Sequence, residues 1–184
     1  MSQFPIHTLD TAPDSSRFAL AGTKSKFGFV PNLIGMLAES PAAVAGYLAL
    51  GEKFEQSSFS PVERQVVLLS VSYENGCDYC MAAHTVIAGM SSVPAATVEA
   101  LRAGATLPAA RLDTLARFTR AVVRERGHLS EAEVAAFVAA GFTAAQVLEV
   151  VLGVAMKTLS NYANHIARTP LDAAFAAARW EPAA

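Results

Sequence analysis

A chain of 184 residues, 53% of them hydrophobic and many of those alanine, suits one domain or two small halves sharing a core, with close-packed helices favoured over strands. The formal net charge of −2, with 14 scattered basic residues against 16 acidic ones, excludes the basic footprint of a nucleic-acid-binding surface. The longest uncharged stretch, 134–148, is interrupted by Gly141, Thr143 and Gln146, ends at Glu149 and falls short of the ~20 apolar residues of a membrane span.

Residues 1–11 contain Pro5 and His7 but neither a basic n-region nor an apolar h-region, so no secretory signal is expected and the reading is a soluble cytoplasmic protein. Residues 15–26 read as a short helix followed by the loop Phe27-Gly28-Phe29-Val30. Pro31 and Pro41 each stand where a helix can start, because proline suits a first turn. Ser60-Pro61-Val62-Glu63 is a capping box opening a helix to about Glu74, with Val62, Val66, Leu69 and Tyr73 on its buried face. Asn75-Gly76 ends that helix, since both residues tolerate the left-handed conformation. Further helices are predicted over 77–89, over 94–103 closed by Gly104, and over 109–126 with Leu112, Leu115, Phe118 and Val122 on one side. Ser130 to Glu133 and Thr143 to Gln146 are two more capping boxes, the second opening a long apolar helix to about Thr169, and 171–180 reads as a terminal helix. No segment sustains the period-two alternation of a half-buried strand. The expected fold class is all-α, one unit spanning 1–184.

The two cysteines, Cys77 and Cys80, lie in Glu74-Asn75-Gly76-Cys77-Asp78-Tyr79-Cys80-Met81-Ala82-Ala83-His84. Cα atoms three apart in a helical turn are about 5 Å from each other, within the range a disulfide tolerates. In a cytoplasmic chain such a pair is redox-active or metal-binding rather than a structural staple. The first turn of a helix favours a thiolate through its unpaired N–H groups and dipole. Lowering a thiol pKa from ~8.5 to ~6.5 takes about 2.7 kcal/mol, however, and the dipole supplies about 0.3–1 kcal/mol, or ~2 when partly buried. A second contributor is needed, and His84, on the face of Cys80 one turn on, is the nearest candidate. Reducing a peroxide also requires a proton for the departing oxygen, for which His84 and Glu74 are the local options.

Other readings stand beside this one. Cys77, Cys80 and His84 with a fourth ligand such as His165 would make a zinc set, though no second C-x-x-C or H-x-x-x-H accompanies them, and no metal is expected. Lys157, Ser160, Asn161, Asn164 and His165 form one polar stripe on an apolar helix, read first as a solvated face or subunit contact, with Asn161 or His165 lining the cysteine pocket as the alternative. Gly22, Gly28 and Gly35 make no nucleotide fingerprint, and no organic cofactor is expected.

The block 61–88 resembles the carboxymuconolactone decarboxylase/AhpD-like family, in particular its peroxidase-related (alkylhydroperoxidase) branch, whose motif is C-x-x-C-x-x-x-H after an Asn-Gly or similar pair. Phe29-Val30-Pro31-Asn32-Leu33 looks like that branch's opening segment, and Lys157 through His165 like its late helix. The resemblance implies an AhpD-like helical bundle with its C-x-x-C core at about 45–125, assembled as a homo-oligomer. It also implies a thiol-dependent peroxidase, an antioxidant oxidoreductase in which Cys80 attacks a hydroperoxide, Cys77 resolves it and His84 serves the proton relay. An external dithiol of thioredoxin or lipoyl type would restore the pair. Gln65 stands where the family carries a relay glutamate and Tyr79 where AhpD has a histidine, so Glu74 is expected to supply the missing carboxylate, with His165, Asn161, Tyr79 and Gln65 as candidate pocket residues. The alternatives are a decarboxylase-type enzyme, which needs no cysteine pair, and a non-catalytic redox-sensing or zinc-binding module.

Overall fold

A computed structural model describes residues 4–181, and among them the chain is helical without strands. In order come α1 (Asp14–Phe27), α2 (Asn32–Leu37), α3 (Pro41–Glu55), α4 (Pro61–Glu74), α5 (Asp78–Met90), α6 (Ala95–Ala103), α7 (Ala110–Arg124), α8 (Glu131–Ala139) and α9 (Ala144–Ala167), then a 3₁₀ segment, Ala173–Ala178. The starts follow the local chemistry. Ser60 with Glu63, Ser130 with Glu133 and Thr143 with Gln146 form reciprocal capping boxes, and Ser40 caps α3 with Pro41 in its first turn. Gly28 and Gly104 close α1 and α6 in the left-handed conformation.

Helix α4 is more deeply buried than its predicted one-sided stripe. Val66, Val67, Leu68, Leu69 and Val71 are all enclosed, together with Ser70 and Ser72, because α5, α7 and α9 surround it. A small hydroxyl does not prevent this: Ser72 Oγ donates to the Leu68 carbonyl of its own helix. Helix α9 packs against α3 and α4, and Gly153 permits the approach. A Cβ there would sit 2.8 Å from Val67 Cγ1 and 2.9 Å from Phe54 Cε2. The outer face of α9 leaves Leu148, Val151, Tyr162 and Ile166 exposed. Among the described residues no single helix is long and apolar enough to cross a membrane.

The end of the chain departs from expectation. Arg168 turns left-handed after α9, and 173–178 form a 3₁₀ segment instead of an α-helix. The segment and its flanks are pinned to separate elements: Asp172 accepts from Asn32 N–H, Phe175 packs on Phe29 and Tyr79, and Trp180 Nε1 donates to the Arg102 carbonyl.

Trp180 also packs on Tyr73, whose hydroxyl lies only 2.1 Å from the place a Cβ would take at Gly104, where φ is +69°. Gly104→Ala is therefore expected to cost about 2–4 kcal/mol, the sum of left-handed strain and a displaced tyrosine. The measure is the urea midpoint at unchanged slope. A wild-type midpoint would mean Tyr73 swings aside without loss.

Candidate active site

The turn between α4 and α5 places the sulfurs. Asn75-Gly76 ends α4 as expected, with Gly76 taking the left-handed conformation at φ +64° while Asn75 stays right-handed. Cys77 N–H then bonds back to the Ser72 carbonyl at 2.9 Å, and Cys77 becomes the extended N-cap of α5 rather than its first helical residue. Cys80 lies in the first turn. Both thiols are unbridged and enclosed, Cys77 at 0% and Cys80 at 1% exposure.

Helix α9 crosses this turn and supplies what surrounds the sulfur. Asn164 Nδ2 donates to Cys80 Sγ at 3.3 Å and lies 3.9 Å from Cys77 Sγ. Ser160 Oγ is 3.8 Å from Cys80 Sγ. Lys157, one turn before Ser160, is 0% exposed. Its Nζ has no satisfied hydrogen bond, and its charge acts on Cys80. The stripe expected to be solvated or to contact another subunit is thus turned inward at Lys157, Ser160, Asn161 and Asn164. His165 remains exposed, at the rim of a cleft of about 230 Å³ that it forms with Asp78, Asn164, Arg168 and Thr169. A lysine on an apolar helix with Ser, Asn and Asn three, four and seven residues on was the available signal, because a lysine so placed is either solvated or paired.

The two sulfurs are shifted in opposite directions. Burial would raise the Cys80 thiol, but the hydrogen bond from Cys77, the Lys157 charge and the Ser160 hydroxyl outweigh it and bring Cys80 well below the ordinary thiol value. Cys77 is pushed up by that same hydrogen bond, then by burial and the Cys80 charge, so it remains a thiol. Lys157 stays an ammonium despite burial because Cys80, Tyr47 and Cys77 face it. Burial raises Tyr47, which remains a phenol. Burial and then repulsion by Lys157 push His84 well below its usual value, leaving it neutral. The cation stabilising the thiolate is therefore Lys157 of α9 and not the expected His84.

The remaining predicted residues divide. His84 and Gln65 are brought together: with Gln65 Oε1 as acceptor at 3.1 Å, Nδ1 carries the proton and Nε2 keeps its lone pair. Asn161 Oδ1 accepts from Asn75 Nδ2 at 2.9 Å, fixing the turn before Cys77. Tyr79 points away, its hydroxyl donating to Asp172 Oδ2 at 2.5 Å and accepting from Leu33 N–H at 3.2 Å, so it ties the helix start to α2 and the chain end. Glu74 is drawn to α7, where Arg124 Nη1 lies 3.5 Å from its carboxylate and Arg120 adds a second cation. Those arginines, and no sulfur, are the charged partners the structure gives it. Among the described residues no three His, Cys, Asp or Glu side chains gather to hold a metal ion, and the zinc set with His165 is not formed.

Three polar atoms of α9 have no protein partner: Lys157 Nζ and Asn161 Nδ2, which donate, and Asn164 Oδ1, which accepts. A thiolate beside a thiol, with such groups around it, is equipped for nucleophilic sulfur chemistry on a small polar molecule.

The fold has known counterparts. It is similar to the AhpD-core structure of a peroxidase-related protein from Ralstonia eutropha JMP134, with a TM-score of 0.82 and 23% identity over 95% of this chain and 94% of that one. A peroxidase-related protein from Silicibacter sp. TM1040 gives 0.80 and 21% over 94% and 92%. The debrominase Bmp8, as a cysteine-to-alanine variant in complex with 2,3,4-tribromopyrrole, gives 0.79 and 17% over 97% of both chains. No curated protein matches the sequence. The fold is thus all-α and AhpD-like, with the C-x-x-C of this chain at a helix start. Residues 39–121, from just before α3 into α7, match the model of the carboxymuconolactone decarboxylase family. Lys157, Ser160 and Asn164 lie outside the matched segment.

Proposed function

We propose that this protein is a thiol-dependent, alkylhydroperoxidase-like peroxidase working through a Cys77–Cys80 dithiol/disulfide cycle. The observation that carries the reading is the asymmetry of the two adjacent sulfurs: Asn164 Nδ2 and Ser160 Oγ lie 3.3 and 3.8 Å from Cys80 Sγ, whose thiol is lowered, while the Cys77 thiol is raised. Cys80 thiolate attacks the outer oxygen of a hydroperoxide; the O–O bond breaks, Cys80 becomes a sulfenic acid and an alkoxide departs. Cys77 thiol then condenses with the sulfenic acid, forming the disulfide and releasing water. An external dithiol, of thioredoxin or lipoyl type, reduces the disulfide and is itself oxidised. The peroxidase-related structures of the same fold support the assignment. The sulfur asymmetry would have no task in decarboxylating a lactone acid.

The test is consumption of cumene hydroperoxide by the wild-type protein with dihydrolipoamide or dithiothreitol as reductant, and 2,3,4-tribromopyrrole offered in a parallel arm. Many equivalents of peroxide consumed per chain is the expected result. Debromination without peroxide consumption, or no reaction in either arm, would replace the reading. Thiol titration with and without a chelator completes the test, since a zinc site would hide both cysteines until the metal is stripped.

A further inference from the structure

The peroxidase reading leaves one proton without a source. The alkoxide released by Cys80 is a strong base, and generating it unprotonated in an enclosed site is costly. His84, expected from the sequence to serve, is neutral, and its one N–H is committed to Gln65 Oε1. Resting on that reading, we propose that Lys157 is a further catalytic residue, the general acid that gives its proton to the oxygen leaving Cys80 and regains it when the dithiol is restored.

The geometry supports this from several sides. Lys157 is fully buried on the helix whose Ser160 and Asn164 meet the sulfurs, and its ammonium has no satisfied hydrogen bond in the resting site. The titratable groups facing it are Cys80, Cys77 and His84 from α5 and Tyr47 from α3. With Cys77 a thiol, Tyr47 a phenol and His84 neutral, the countercharge of the ammonium is the Cys80 thiolate. Attack on the peroxide removes that countercharge, because the sulfenic acid is neutral. An ammonium left buried without an anion is strongly disfavoured, so the site lowers the affinity of Lys157 for its proton at the moment a base is created beside it.

The steps balance. Thiolate, hydroperoxide and ammonium give sulfenic acid, alcohol and neutral amine. Sulfenic acid and Cys77 thiol give disulfide and water. The external dithiol returns two thiols, and the Cys80 thiol passes its proton to the Lys157 amine, restoring the charged pair.

Lys157→Met keeps the length and burial of the side chain and removes the ammonium. Its Cys80 rates, normalised to the thiolate present at each pH, are to be compared for three electrophiles. Cumene hydroperoxide expels a basic alkoxide, peracetic acid expels weakly basic acetate, and iodoacetamide expels iodide, which takes no proton. The alkyl hydroperoxide rate is expected to fall by about 10²–10³-fold and the other two by less than about threefold, within the range general acid catalysis supplies. Equal losses for all three would overturn the proposal and leave Lys157 as a positioning charge only.

A second measurement needs no variant and is unaffected if the substitution perturbs folding. Over the pH range where the alkylation profile shows Cys80 ionised, the disulfide potential of the wild type is expected to fall with a slope of two protons per electron pair, one for Cys77 and one for Lys157. A slope of one proton would show that Lys157 keeps its charge after oxidation, which overturns the proposal. A wild-type protein inert to every hydroperoxide would instead sink the peroxidase reading, so the two failures are distinguishable.

Discussion

Replacing Cys80 by serine is expected to abolish hydroperoxide turnover, by about 10⁴-fold or more, as when a nucleophile that works with its partners as a unit is removed. Cys77→Ser is expected to consume one equivalent per chain and then stop. The difference follows from the opposite shifts of the two sulfurs. The electrostatics that hold Cys80 well below the usual thiol value combine the Cys77 hydrogen bond, the Lys157 charge and Ser160, and a serine hydroxyl in that place would remain un-ionised at neutral pH. Serine at 77 can still donate to the Cys80 thiolate, so the first attack survives. It cannot form the disulfide, and the sulfenic acid persists. Intact mass after one equivalent of peroxide reads this directly: the Cys77→Ser chain gains one oxygen atom, whereas wild type loses two hydrogens. The reverse pattern, with Cys77→Ser inert and Cys80→Ser reacting once, would exchange the roles of the two residues.

Asn164→Asp is expected to move the acid limb of Cys80 alkylation upward by about 2–3 pH units. Asn164 Nδ2 donates to Cys80 Sγ at 3.3 Å, so the substitution exchanges a donor for an anion at that distance. Two like charges about 4 Å apart repel by about 4 kcal/mol at an effective dielectric constant near 20, which is worth about three pKa units. In the wild type the thiolate is present above its depressed pKa and is lost as pH falls through it. In the variant that limb lies higher, so reactivity between the two limbs drops and recovers as pH rises past the variant's limb. Asn164→Ala removes the hydrogen bond without adding charge and is expected to shift the limb by about one unit. An unchanged profile in both variants would mean that Asn164 does not stabilise the thiolate.

Much of the architecture was legible from short-range signals. The three capping boxes predicted from Ser60, Ser130 and Thr143 are all formed, because each is a pair of hydrogen bonds between residues three apart. The cysteine pair at a helix start was readable from Asn75-Gly76 for the same reason, although the left-handed turn falls on Gly76 alone. The terminal segment was misread as an α-helix because Asp172, Phe175 and Trp180 answer to partners on other elements. The pairing of Glu74 with α7 was not legible because nothing in its own segment announces Arg124 and Arg120, about fifty residues further on.

What the sequence determined by itself is the set of helices, their beginnings and the presence of two sulfurs within one turn, all governed by contacts between near neighbours in the chain. Only the tertiary structure decided which cation and which amide meet the sulfur. A stripe of Lys157, Ser160, Asn161 and Asn164 has the same helical spacing whether it faces water or a thiolate. That choice was made by α9 crossing the α4–α5 turn, at a closeness to α3 and α4 that Gly153 allows, where burial strips the solvent from Lys157 and leaves Cys80 as its countercharge.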